Sequence, residues 1–127
     1  MRCWIASRTR TRAVRRGDLY RVRSPRNDTK AARVFLVVSR QPFIDSRYST
    51  VACIPVYSNA TGVPTEVPVG PASGLRHESV LRCDEITSIE KSRLTDFVGT
   101  LPEFPLRRVS RALAAALAIH PEDIEDL

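Results

Sequence analysis

Residues 80–85 read VLRCDE and place an arginine and an aspartate two positions apart, directly after an apolar pair. In a strand, side chains i and i+2 leave the same face. A strand through this stretch therefore aims Arg82 and Asp84 at one point. That pair suits chemistry on an anionic group such as a phosphate. The carboxylate can take up a proton. The guanidinium holds its own proton in water, so its natural part is to clamp negative charge with forked donors. The competing reading is an ion pair that braces the rim of a sheet. Arg33 is a second candidate, standing where the polar "NDTKAA" enters the apolar "VFLVV". It is either a second charge clamp or an ordinary solvated strand end.

Positioning these residues needs a body, and the composition allows one. The chain has 127 residues, 43% of them hydrophobic and 6% aromatic, enough for one domain with a largely aliphatic core. No segment reaches the roughly 18 apolar residues of a membrane span, and the basic start lacks the apolar run of a secretory signal. The cysteines Cys3, Cys53 and Cys83 are odd in number and widely spaced, in no C-x-x-C or Cys/His metal pattern. No disulfide framework, metal site or cofactor is expected, and the cytoplasm is the expected location. Charge is uneven. Residues 1–40 hold 12 Lys and Arg against Asp18 and Asp28, a net of +10, while residues 41–127 hold 8 against 12, a net of −4. Such asymmetry points to a polyanion or an acidic partner for the basic part, or to a solubilising tail. The organisation expected is a basic extension over 1–15, a domain over 16–120 and an acidic tail over 121–127.

Strands are expected at "GDLYRVRS" (17–24), "RVFLVVSR" (33–40), "TVACIPVYS" (50–58) and "PTEVPVGP" (64–71). One or two more are expected within 79–89, and a short one at "DFVGTL" (96–101). Pro55 lacks a backbone donor, which suggests an edge or a bulge. "SPRNDTKAA" (24–32) is rich in turn formers and reads as a loop. The one clear helix is "PLRRVSRALAAALAI" (105–119), with Leu106, Val109, Leu113 and Leu117 at helical spacing. Thr100 and Glu103 resemble a capping box, and Pro121 should stop the helix. Several short strands with proline-rich turns and one terminal helix indicate a mainly β (α+β) chain, a small barrel with a C-terminal helix.

"RRGDLYRV", "ARVFLVVSR", "VACIPVYSN", "GLRHESVLRCDEITSIEKSRL" and "VGTL" occur in the order and spacing of the PemK/MazF family, which the chain resembles over about residues 15–120. The resemblance implies an SH3-like β-barrel and a toxin of a type II toxin–antitoxin system. The toxin would be a homodimer that cuts single-stranded RNA at short motifs without metal. It would be held in check by an antitoxin with a flexible acidic segment, and would meet operator DNA only through that complex.

Metal-free cleavage uses the ribose 2′-hydroxyl as nucleophile and leaves a 2′,3′-cyclic phosphate and a 5′-hydroxyl. It needs a base, an acid and cations for the charge on the transition state. The resemblance implies Arg33, Arg82 and Asp84 as catalytic residues, with Asp84 the base and Arg82 the acid. Charge clamping is the physically easier role for the arginine. In "PVYSN" the chain has Tyr57 where relatives have threonine, followed by Ser58 and Asn59. The tyrosine can donate a hydroxyl or stack on a base, or it can fill space the RNA needs. Arg26 and Lys30 can meet phosphates electrostatically, and His77 lies in a usually basic turn; each can also be a solvated surface residue. Two other readings fit the same fold: a CcdB-like gyrase poison, disfavoured by "LRCDE" and the charged C-terminus, and a non-catalytic SH3-like binding module.

Overall fold

The computed structural model of the protein describes residues 12–23 and 32–125. Among these residues seven strands run β1 (Asp18–Val22), β2 (Arg33–Val37), β3 (Thr50–Tyr57), β4 (Glu66–Val69), β5 (Ser79–Arg82), β6 (Thr87–Glu90) and β7 (Asp96–Thr100). The helices are α1 (Gln41–Ile44), α2 (Glu103–Ala116) and α3 (Pro121–Ile124). The strands form one curled antiparallel sheet in the order β4-β5-β3-β2-β1-β7, with β6 also paired to β3. The result is a half-barrel with a few short helices, the mainly β architecture expected.

The middle strands are buried on both faces, which is why "VFLVV" and "VACIPV" read as continuous apolar runs. Leu19, Leu36, Ile54, Val56 and Leu81 belong to one core cluster. Their chain neighbours Tyr20, Val37, Val51 and Cys53 belong to a second. Helix α2 closes the first cluster with Val109 and Ala112, flanked by Leu106 and Leu113. Ile44, Ile89 and Leu94 close the second. Leu117, expected on the packed face of α2, lies past its end and is exposed.

Pro55 is neither on an edge strand nor at a bulge. β2 pairs with it from one side, Phe35 opposite Pro55. On the other side β3 changes partner: β6 pairs with residues 50–53 and β5 with residues 56–57. The proline falls in the gap between them, where no ladder needs its missing N–H. Helix α2 starts at Glu103, earlier than expected, with Pro102 at the N-cap and no side-chain cap. Thr100 is therefore not its cap; its hydroxyl donates to Asp18 instead. Pro121 does more than stop α2, since it is the first residue of α3. His120 is the N-cap of α3, and its backbone N–H donates to Asp123 at 2.8 Å.

Residues 12–15, expected as the end of a loose basic extension, pack on the body. Val14 lies against the second core cluster. Arg12 pairs with the fully buried Asp18 at 3.5 Å, and the backbone N–H of Arg15 donates to the same carboxylate at 3.0 Å. At the same edge, a Cβ on Gly99 would collide with the Ser73 carbonyl, so glycine lets β7 lie against the 71–73 turn.

Candidate active site

The sheet brings two arginines to one tyrosine. Tyr57 ends β3 and pairs with Val80 of β5. On its other side, the β2–β3 register of Phe35 with Pro55, continued by two residues, sets Arg33 opposite Tyr57. Arg33 and Arg82, from the two flanking strands, both lie over the ring, at 4.0 and 3.6 Å from its centroid. Contacts of this kind contribute about 0.5–2 kcal/mol each. Arg33 also donates to the Val56 carbonyl at 3.0 Å, which fixes its reach along β3.

Asp84 is not placed as the strand argument expected. β5 ends at Arg82, and Cys83–Glu85 is a 3₁₀ turn. Cys83 points inward and is fully buried; burial, with Asp84 beside it, pushes its thiol up to about 11. The turn breaks the period of two, so Arg82 and Asp84 do not share a strand face and form no ion pair. Asp84 accepts a hydrogen bond from the Thr65 hydroxyl instead. The next residue, Glu85, is the carboxylate that meets the arginine–tyrosine cluster. The Tyr57 hydroxyl donates to it at 2.5 Å, and Arg82 lies 3.4 Å from its other oxygen. This hydrogen bond, more than any other influence, raises the pKa of the Tyr57 phenol.

Arg82 has a second carboxylate neighbour. Glu66 is its directly opposed cross-strand partner in β4 and lies 3.6 Å from Nε. Glu66 is itself held by the Thr61 hydroxyl and the backbone N–H groups of Thr61 and Gly62. The Thr61 side chain is the main cause of its lowered pKa. Arg82 further donates to the Asn59 carbonyl at 3.3 Å, while its Nε has no hydrogen-bond partner among the described residues. The guanidinium is thus oriented but not saturated.

Arg33 also lines a concave pocket of about 300 Å³ on the β2 side of the cluster, together with Arg21, Val34, Val56, Ser58, Leu75, Arg76, His77 and Ser79. Among the described residues its lining carries three guanidiniums and no carboxylate, with Val34, Val56 and Leu75 as its larger apolar members. Ser58 and His77 therefore lie together in this pocket, Asn59 meets Arg82 through its backbone, and Tyr57 is central. Arg26 and Lys30 lie outside the described residues. Among the described residues no cluster of three His, Cys, Asp or Glu could hold a metal ion.

Three comparisons bear on this arrangement. A family model for the PemK-like, MazF-like toxins of type II toxin–antitoxin systems matches residues 15–117. The chain belongs to this family. It is 31% identical over 109 residues to a protein named probable endoribonuclease MazF of Mycolicibacterium smegmatis, covering 84% of this chain and 98% of that one. It is 32% identical over 111 residues to endoribonuclease EndoA of Bacillus subtilis, covering 84% and 96%. A solved endoribonuclease from a mycobacterial species superposes with a TM-score of 0.70 at 25% identity, over 86% of this chain and 95% of the other. In this PemK/MazF-family chain, Glu85, Glu66, Thr65 and Arg76 are the residues that the sequence reading missed. Glu85 adjoins the singled-out run and was hidden by the assumption of a continuous strand. Glu66 and Thr65 become visible only once β4 is known to pair with β5.

Proposed function

We propose that the protein is the toxin of a type II toxin–antitoxin system and a metal-independent endoribonuclease. It cleaves single-stranded RNA at short sequence motifs by attack of the 2′-hydroxyl, leaving a 2′,3′-cyclic phosphate and a 5′-hydroxyl. The observation that carries this reading is the convergence of Arg33 and Arg82 on Tyr57 at an open rim, contiguous with a cationic pocket. Two fixed guanidiniums can bind the oxygens of a scissile phosphate and stabilise the extra charge of its transition state. The Glu85 carboxylate stands beside Arg82 for proton transfer, with Asp84 next to it in the same turn. The pocket with Ser58, Arg76 and His77 takes the adjoining nucleotide: arginines attract its phosphate, and Val34, Val56 and Leu75 offer its base apolar contacts. Arg26 and Lys30 add phosphate contacts from the 24–31 segment, and Asn59 reads a base. The toxin works as a homodimer in the cytoplasm. A cognate antitoxin blocks the cationic rim with a flexible acidic segment and carries the complex to operator DNA.

The test is incubation of purified protein with long single-stranded RNA in EDTA, beside Arg33→Ala, Arg82→Ala and Asp84→Ala. The expected result is cleavage at short recurrent motifs with cyclic phosphate ends, and loss of most activity in the arginine variants. Absence of cleavage at any excess of protein would leave a non-catalytic binding module.

A further inference from the structure

Cleavage by a 2′-hydroxyl moves two protons, one off the nucleophile and one onto the departing 5′ oxygen. An arginine does neither near neutral pH. Asp84, the carboxylate first singled out, faces Thr65 and makes no ion pair with Arg82. The cluster around the arginines instead contains a carboxylate and a phenol already joined by a hydrogen bond of 2.5 Å, those of Glu85 and Tyr57. Glu85 is also in reach of Arg82, and Tyr57 of both arginines. Two proton-carrying groups and two charge clamps thus occupy one small volume.

We propose that Glu85 is the general base and Tyr57 the general acid of the cleavage, an assignment that rests on the endoribonuclease reading above. Glu85 accepts the proton of the 2′-hydroxyl as the 2′ oxygen bonds to phosphorus. The bond from phosphorus to the 5′ oxygen breaks, and the Tyr57 phenol gives its proton to that oxygen. Glu85 is then a carboxylic acid and Tyr57 a phenolate. The hydrogen bond between them carries the proton back, downhill from carboxylic acid to phenolate. Both groups return to their starting state with no water or co-reactant. Arg33 and Arg82 serve twice: they bind the phosphate oxygens, and they lie over the ring that becomes negative. A phenol, with an ordinary pKa of about 10, carries its proton at neutral pH before reaction. In this scheme the tyrosine that seemed able to obstruct the RNA supplies a proton the reaction needs.

The experiment compares two versions of a short RNA carrying one mapped cleavage site: the natural one, and one in which sulfur replaces the bridging 5′ oxygen. A thiolate leaves without a proton. Single-turnover rates are measured for the full chain, Tyr57→Phe, Glu85→Gln and Asp84→Asn. Thermal unfolding and affinity for an uncleavable 2′-deoxy version are measured alongside. On natural RNA, Tyr57→Phe and Glu85→Gln are each expected to lose at least about 100-fold. On the sulfur substrate Tyr57→Phe returns to within about fivefold of the parent protein, while Glu85→Gln stays slow, because only the acid has become dispensable. Equal deficits of Tyr57→Phe on both substrates, or a parental rate on natural RNA, would overturn the acid assignment. A large loss in Asp84→Asn with none in Glu85→Gln would return the base to Asp84 and overturn the other half. If the parent protein cuts neither RNA, the endoribonuclease reading itself fails.

Discussion

Among the described residues, two arginine–carboxylate clusters stand toward the two ends of the sheet, and they are built for opposite purposes. At the β1–β7 edge, Asp18 is fully buried. Its two oxygens take an ion pair from Arg12, a backbone N–H from Arg15 and a hydroxyl from Thr100. Both oxygens face donors of the protein itself and the side chain is fully buried, so this carboxylate ties the N-terminal segment to the last strand. At the β3–β5 rim, the Glu85 side chain is 45% exposed and that of Arg82 23%. The buried Nε of the arginine faces Glu66 at 3.6 Å, while its terminal nitrogens make only long contacts, 3.4 Å to Glu85 and 3.3 Å to the Asn59 carbonyl. The same residue types thus act as a structural tie where donors saturate them, and as a reactive centre where bonding capacity is left over. An ion pair read from sequence cannot be sorted between these two uses until its remaining partners are known.

The contrast can be broken by moving activity and stability separately. The largest expected effect is at the rim. Arg82→Ala should lower single-turnover RNA cleavage by about 100- to 1,000-fold, the cost of removing one preorganised donor to a transition-state oxygen. Its unfolding free energy should move by no more than about 1 kcal/mol, because Glu85 is largely solvated and Glu66, though buried, keeps its hydrogen bonds to Thr61 and Gly62. A large fall in stability would make the rim a structural brace like the Asp18 tie. Next comes Asp18→Asn, which should cost about 2–3 kcal/mol in a denaturant titration through lost charged hydrogen bonds, with the cleavage rate of the folded fraction unchanged. Smaller still, Arg76→Ala should weaken binding of uncleavable RNA several-fold. It should also flatten the dependence of log affinity on log salt by about 0.7, the loss of one phosphate contact.

The smallest effect is linkage to pH. The Tyr57 phenol has a folded-state pKa raised above its ordinary 10.0, chiefly by its hydrogen bond to Glu85. Its contribution to stability is therefore fully present below about pH 10 and is lost as pH rises through the folded value. Stability profiles of the full chain and Tyr57→Phe should differ by a constant at neutral pH and converge in alkali. Parallel profiles throughout would contradict the hydrogen bond.

Much of the body was legible because hydrophobic runs and turn formers are local signals. β2, β3 and the helix over 105–116 are where the apolar pattern places them. The miss at Pro55 had a non-local cause, since nothing near the proline reveals that its strand changes partner there. The rim was half legible. Arg33, Arg82 and Tyr57 stand out as polar or charged residues ending apolar strands. Their meeting depends on β2 and β5 flanking β3, a pairing across long stretches of chain. The 3₁₀ turn at Cys83–Glu85 exchanged one acidic residue for its neighbour. Cys83 still reaches the core, so the inward–outward pattern survives one residue too far and imitates a continuing strand.

The account rests on a 2′-hydroxyl attacking a phosphate held by Arg33 and Arg82. The most direct measurement is cleavage in EDTA of an RNA whose mapped scissile nucleotide alone is changed to 2′-deoxy. The expected result is unchanged affinity and complete loss of cutting at that bond, with cutting retained at an unmodified second site in the same strand. Cleavage of the deoxy bond, or a 5′-phosphate at the unmodified one, would contradict it.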